Sequence, residues 1–418
     1  MKLEILTVGT ELLLGQIIDT NGAELGRALA AAGAEITLHT SVADHPPAIR
    51  EAVTRALERT GFVIATGGLG PTRDDMTKTV VSEVFGRKLR RDAGLLAALE
   101  QRFKRMGREM PAINRSQADV PEGATVLPNP RGTAPGLWIE DDGGRVAVLL
   151  PGIPREMRGL LVDEVLPRIV QRTAAQGVRV VRSRTVRTTG VPESALAERV
   201  GDIETVIAPL TLAYLPSWSG VDLRLTAWGM DPEEADTRLN AVARQLLQAA
   251  GEHAYGVDDV DLASVVLEQL RRASPRHRLA VAESCTGGLV GARITAIPGA
   301  SDTFMGGVVA YADVVKTTAL QVPMDTLAAH GAVSEETVRA MAEGAQRLFA
   351  VDTSIAVTGI AGPGGGTPEK PVGTVWLAAR VHDRVRAIKR VYPGDRDEVR
   401  ARAAQGALDL LRRELVRG

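Results

Sequence analysis

The chain has 418 residues, 44% of them hydrophobic, and its 50 basic and 51 acidic side chains leave a formal net charge of −1. At roughly 100–200 residues per domain this length implies several domains, and the balanced charge excludes a global attraction for nucleic acid or an anionic membrane. One cysteine, Cys285, excludes an intrachain disulfide framework, and no apolar run approaches the ~20 residues that span a bilayer.

The first segment, 1–170, alternates strand and helix patterns. Residues 3–8, 35–42 and 62–66 read as strands, and 21–32, 47–59 and 76–84 as helices, the last entered through Asp74 and Asp75. Strands alternating with helices predict a mostly parallel sheet covered on both faces, with ligands beyond the carboxyl ends of its strands. The polar and glycine-rich runs fall at those ends. They are Gly9-Thr10-Glu11, Asp19-Thr20-Asn21, the loop Gly67-Gly68-Leu69-Gly70-Pro71-Thr72, and the turn that holds Gly132 and Thr133. Such glycines suit a phosphate, and Asp74 with Asp75 could hold a divalent cation bridging to it. Hard oxygen ligands without a His or Cys cluster favour Mg-type ions over zinc, while plain helix capping also accounts for the two acids.

The second segment, 171–256, reads as a small α+β unit: strands over 178–188 and 221–228, helices over 193–200 and 232–250. Arg179, Arg182, Arg184 and Arg187 alternate with valines, and a solvated strand face explains them better than RNA contact. No Gly-x-x-Gly clamp of nucleic-acid backbone is present. Residues 255–259 look like a linker.

The third segment, 257–418, is again α/β. Helix 262–272 precedes the apolar 279–281, the elbow Glu283-Ser284-Cys285-Thr286-Gly287-Gly288 and an amphipathic run. Then come strand 308–311 with Tyr311 and Lys316 behind it, helix 335–349, strand 354–357, the glycine loop from Thr358 and Gly359 past Gly362, strand 374–379 and a helix from about 398. A helix starting at the elbow would aim unpaired N–H groups there. Ser284, Cys285 and Thr286 are adjacent candidate nucleophiles. Lysine can activate serine, so Ser284 with Lys316 is more economical than a histidine-based arrangement in a chain with six histidines.

The elbow, the 306–311 strand with Lys316, the run 330–334, the loop 357–366 and the run 370–375 together resemble the C-terminal domain of the CinA family, a nicotinamide-nucleotide amidase. The resemblance implies conversion of nicotinamide mononucleotide to nicotinic acid mononucleotide and ammonia without a cofactor. Ser284 is then the nucleophile, Lys316 its base, and Tyr311 an assistant. Thr286, Gly287, Gly288, Thr358, Gly359 and Gly362 fall to the substrate, and Arg396 to its phosphate. One departure stands out: the family carries Asn two residues after the tyrosine, and this chain has Asp313.

The Gly-Gly-x-Gly-x-Thr-x-x-Asp run resembles the molybdopterin-binding fold in the form found at the N-terminus of CinA. That implies ADP-ribose cleavage to AMP and ribose 5-phosphate with a divalent metal such as Mg2+ on Asp74 and Asp75, helped by K+. Asp75 is then catalytic, while Thr10, Glu11, Asn21, Asp44, Gly67, Gly68, Gly70, Thr72, Gly132 and Thr133 contact substrate. The middle segment is similar to the KH-like connecting domain of that family. The expectation is therefore a cytoplasmic homodimer of two α/β domains, with mostly parallel or mixed sheets, joined by a small α+β domain. It acts on small nucleotides, with no role for membrane or nucleic acid. A molybdopterin nucleotidyltransferase and a non-enzymatic competence module are the alternatives.

Overall fold

The structure, a computed structural model, describes residues 1–174 and 180–417. It divides into two compact units, Met1–Arg182 with Ala227–Asp236, and Ser183–Thr226 with Thr237–Gly418.

The first unit is built on β1 (Lys2–Val8), β2 (Glu35–Val42) and β3 (Phe62–Thr66). β4 (Leu89–Arg91) and β5 (Asp119–Pro121) form a separate two-stranded ribbon, and β6 (Thr125–Leu127), β7 (Gly136–Glu140) and β8 (Val146–Leu150) complete the main sheet. Its order is β2-β1-β3-β8-β7-β6, with β2, β1, β3 and β8 parallel and β7 and β6 antiparallel. Every residue of β3 and β8 is buried, the pattern of strands covered on both faces. The chain leaves β1 towards β2 on one side and returns to β3 on the other. That reversal opens a crevice at the carboxyl ends of β1 and β3.

In the middle segment β9 (Val180–Thr188), β10 (Thr211–Pro216), β11 (Val221–Met230) and β12 (Ala254–Val257) form a sheet ordered β10-β11-β9-β12. The expected linker at 255–259 is corrected here. Ala254–Val257 pairs antiparallel with β9, because adding to that edge satisfies backbone groups a free linker would leave to water. Val178 and Arg179, the first two residues of the expected strand 178–188, lie outside the described residues. Arg182, Arg184 and Arg187 are ion-paired with Asp236, Asp258 and Asp222.

The last sheet runs β14-β13-β15-β16-β17, from β13 (Leu279–Glu283), β14 (Phe304–Val309), β15 (Thr353–Gly359), β16 (Thr374–Val381) and β17 (Arg384–Val391). β13 pairs parallel with both β14 and β15, so the order again reverses at a central strand, while β16 and β17 are antiparallel. β14 begins at Phe304, four residues before the expected start, because Gly306 and Gly307 sit inside the strand and interrupt its apolar pattern. Helix Leu262–Arg272 and the C-terminal helix Arg396–Val416 pack against this sheet around a core of Val, Leu, Ile and Ala. Among the described residues no helix is long and apolar enough to cross a membrane.

Candidate functional site

β13, β14 and β15 end side by side, and each delivers one part of a cavity of about 290 Å³. Ser284 follows β13, Tyr311 and Lys316 follow β14, and Thr358 and Gly359 close β15. Gly362 lies in the loop beyond, and Arg396 opens the C-terminal helix. All seven line the cavity, whereas Thr286, Gly287 and Gly288 do not. No histidine among the described residues lines it either; His330 lies 3.6 Å from Glu336.

The elbow owes its shape to Glu283. Its carboxylate, buried at the end of β13, accepts hydrogen bonds from the backbone N–H of Gly288 (3.0 Å), Val290 (3.0 Å) and Gly291 (2.8 Å). The donors expected to face a substrate are thus taken by the chain's own acid. Gly287 and Gly288 have φ of +61° and +95°, left-handed values that let the backbone double back to that acid. Thr286 is buried with its hydroxyl unpartnered, and Arg400 donates to its carbonyl at 3.1 Å. Ser284 extends the β15 ladder by donating its N–H to the Val357 carbonyl at 2.9 Å.

Lys316 is only 1% exposed, and its ammonium donates to Asp313 Oδ1 at 3.1 Å and to the Tyr311 carbonyl at 3.3 Å. Ser284 and Lys316 make no hydrogen bond to each other among the described residues. Arg396 donates to the Tyr311 hydroxyl at 2.8 Å and to the Gly362 carbonyl at 2.5 Å, fixing its guanidinium at the cavity mouth. Its position is set by a capping box in which Asp395 and Glu398 close the first turn of the helix. The Thr358 hydroxyl donates to the Ala332 carbonyl at 2.7 Å, and its backbone pairs with Trp376 across the β15–β16 ladder. At Gly359 a Cβ would lie 2.7 Å from the Thr374 carbonyl, so only glycine fits. Burial pushes the Cys285 thiol up to about 12, and its side chain joins the hydrophobic core.

In the first unit the crevice at β1 and β3 holds a smaller cavity of about 100 Å³, lined by Glu11, Asp19, Asn21 and Thr66 among others. Asn21 donates to the Gly152 carbonyl at 2.7 Å, and its Oδ1 is buried without a partner. Thr10 is tied to Asp44 through its N–H at 2.8 Å and its hydroxyl at 3.1 Å. Gly67 and Gly68 pack where a Cβ would meet the Val8 carbonyl and the Thr77 hydroxyl. Gly70 leaves room for the Asp75 carboxylate, which accepts from Thr72 N–H at 2.8 Å and Thr72 hydroxyl at 2.5 Å. Asp74 is exposed beside it. Among the described residues no group of three or more His, Cys, Asp or Glu could hold a metal. Gly132 and Thr133 line a different hollow of about 510 Å³, with Leu95, Leu99 and Arg102.

Glu283 and Asp313 were not singled out for the contacts they make. The signals are an acid closing a buried strand just ahead of a Gly-Gly helix start, and an Asp three residues before a Lys on a helix.

The fold and its two crevices define a three-part α/β protein in which two sheets each present a pocket at a strand-order reversal. Family models match in the same order. The probable molybdopterin binding domain matches residues 4–171, the damage-inducible protein CinA KH domain 183–256, and the CinA C-terminal domain 259–415. A CinA-like protein of Gemmatimonas aurantiaca is 53% identical over 418 residues, covering 100% of this chain and 97% of that relative. A putative competence-damage inducible protein of Symbiobacterium thermophilum is 44% identical, covering 100% of this chain and 99% of its own. The solved competence damage-inducible protein A of Klebsiella pneumoniae is 36% identical and covers 38% of this chain and 98% of its own, with a TM-score of 0.35. The chain belongs to the CinA family.

Proposed function

We propose that the C-terminal domain is a serine amidase converting nicotinamide mononucleotide to nicotinic acid mononucleotide and ammonia. The observation that carries this reading is the convergence of Ser284, Lys316 and Arg396 on one cavity of about 290 Å³. Ser284 Oγ adds to the carboxamide carbon while its proton passes to the Lys316 side-chain nitrogen. Collapse of the adduct expels ammonia, which takes that proton from Lys316. Water, activated by the same amine, then cleaves the acyl ester, releases the acid and restores Ser284. Arg396 pairs with the phosphate through its planar fork, and backbone at Thr358 and Gly359 walls the side on which the oxyanion forms.

The N-terminal domain, on the same proposal, cleaves ADP-ribose to AMP and ribose 5-phosphate. A divalent cation would be held by Asp74 and Asp75 together with the substrate's own phosphate oxygens and water, and would neutralise the pyrophosphate charge. The loop at Gly67, Gly68 and Gly70 brings backbone close to phosphate, while Glu11, Asn21 and the Thr10–Asp44 pair orient the sugar. Both substrates are breakdown products of NAD-consuming reactions, so one chain would serve pyridine-nucleotide recycling twice. The test is product analysis of the purified protein with each substrate, with and without Mg2+. Ser284→Ala should end ammonia release and leave AMP formation intact; substantial remaining deamidation sinks the nucleophile assignment.

A further inference from the structure

A second, larger cavity, of about 500 Å³, lies in the same unit as the amidase pocket and shares with it only the C-terminal helix. One wall is a stripe of that helix at helical spacing: Arg402, Gln405, Gly406, Asp409 and Arg413. A second is one face of β17, where Arg386, Ile388 and Arg390 alternate with residues of the opposite face. The turns around Gly190 and Trp218 of the middle segment close the rest.

Five arginines line this space against three carboxylates, and the carboxylates are already engaged. Asp409, itself buried, accepts from Arg412 at 2.7 Å and Arg413 at 2.8 Å. Glu414 pairs with Arg386 at 3.2 Å and Arg417 at 2.8 Å, and Glu252 with Arg413 at 2.8 Å. Arg390 and Arg402 have no carboxylate partner among the described residues, and Arg402 Nε is buried without any hydrogen bond. Gln405 is 3% exposed; its Oε1 accepts from Arg293 at 2.8 Å, which turns its Nε2 into a buried donor without a partner at the cavity wall. Buried donors left unsatisfied are costly and rare, so donors gathered at one cavity mark a place for an acceptor. The Tyr392 phenol, pushed up to about 12 by burial, stays a neutral wall beside them.

We infer that this cavity binds a phosphate-bearing small molecule of mononucleotide size, its phosphate held by Arg390, Arg402 and Gln405 Nε2 and its planar part set against Trp218. The volume is in the usual range for small-ligand sites, about 300–1,000 Å³, and guanidinium forks suit phosphate. The site is separate from both proposed catalytic pockets and does not depend on the reactions assigned to them.

The test is 19F NMR of the full-length protein labelled with 5-fluorotryptophan. The chain has four tryptophans, so the Trp218 signal, assigned with Trp218→Phe, reports this cavity while the others serve as controls. AMP should shift the Trp218 signal saturably below about 1 mM, inorganic phosphate more weakly, and adenosine not at all. Arg402→Gln and the surface variant Arg390→Gln should each weaken the AMP response at least about tenfold. Arg384→Gln, on the same strand but outside the cavity, should leave it unchanged. A Trp218 signal that AMP and phosphate do not move, equal responses to adenosine and AMP, or unchanged affinity in both arginine variants would overturn the assignment.

Discussion

Asp313 holds the ammonium of Lys316 at 3.1 Å, one turn apart on the short helix Asp313–Thr318. Lys316 spends its hydrogen bonds on this carboxylate and on the Tyr311 carbonyl and makes none to Ser284, so the carboxylate holds the amine away from the hydroxyl it would have to reach. The carboxylate is half open to water, which screens the pair. Asp313→Asn should therefore raise kcat for ammonia release from nicotinamide mononucleotide, by roughly twofold to fivefold. An unchanged or lower kcat would show that the carboxylate positions Lys316 and does not restrain it.

Cys285, beside the proposed nucleophile, should be chemically silent. With burial pushing its thiol up to about 12, iodoacetamide should fail to label native protein near pH 8 and should label it in denaturant. An unfolded thiol ionises from about pH 9 while the folded one stays protonated, so the stabilisation is whole below that pH and falls away towards about 12. Cys285→Ala should flatten the alkaline decline in urea midpoint, and Cys285→Ser should keep deamidation largely intact.

Glu283→Gln tests the elbow. The amide keeps one acceptor oxygen for three backbone donors that now share a carboxylate, at a cost of about 2 kcal/mol in a buried setting. Urea unfolding should record that loss, and kcat should drop with KM little changed because Ser284 is the next residue. A variant as stable and as active as the parent would remove Glu283 from any positioning role.

Asp75→Ala separates the two proposed activities. Metal-dependent ADP-ribose cleavage should fall about a hundredfold or more, while ammonia release stays at the parent rate. Equal loss of both would argue for one shared site or for a collapsed fold, and circular dichroism distinguishes these.

Much of this molecule could be read from its sequence where one physical signal dominated. Helices Leu262–Arg272 and Pro232–Ala250 fall at the expected residues because apolar periodicity and capping agree there. β3 and β13 were legible as apolar runs ahead of polar, glycine-rich turns. β17 was not, because five of its eight residues, Arg384 to Val391, are arginines, lysine or alanine in a strand at the sheet's edge. At the site, residue types pointed to Ser284 with Lys316 and the family resemblance added Arg396, and one cavity is lined by all three. Partner choice was hidden. The pattern around the elbow gives its N–H groups no owner, and only the fold returns Glu283 to them.

The C-terminal helix has a mechanical consequence. Its 21 residues make a rod of about 30 Å, with Arg396 at the Ser284 cavity and Arg413 at the far one. Pivoting such a rod by about two degrees at its last turn would swing Arg396 through about 1 Å, a displacement that can cost a catalytic site on the order of a hundredfold in rate. A shift at the Arg413 end would therefore be felt at Arg396, with Gly406 inside the helix as the place where the lever bends most easily.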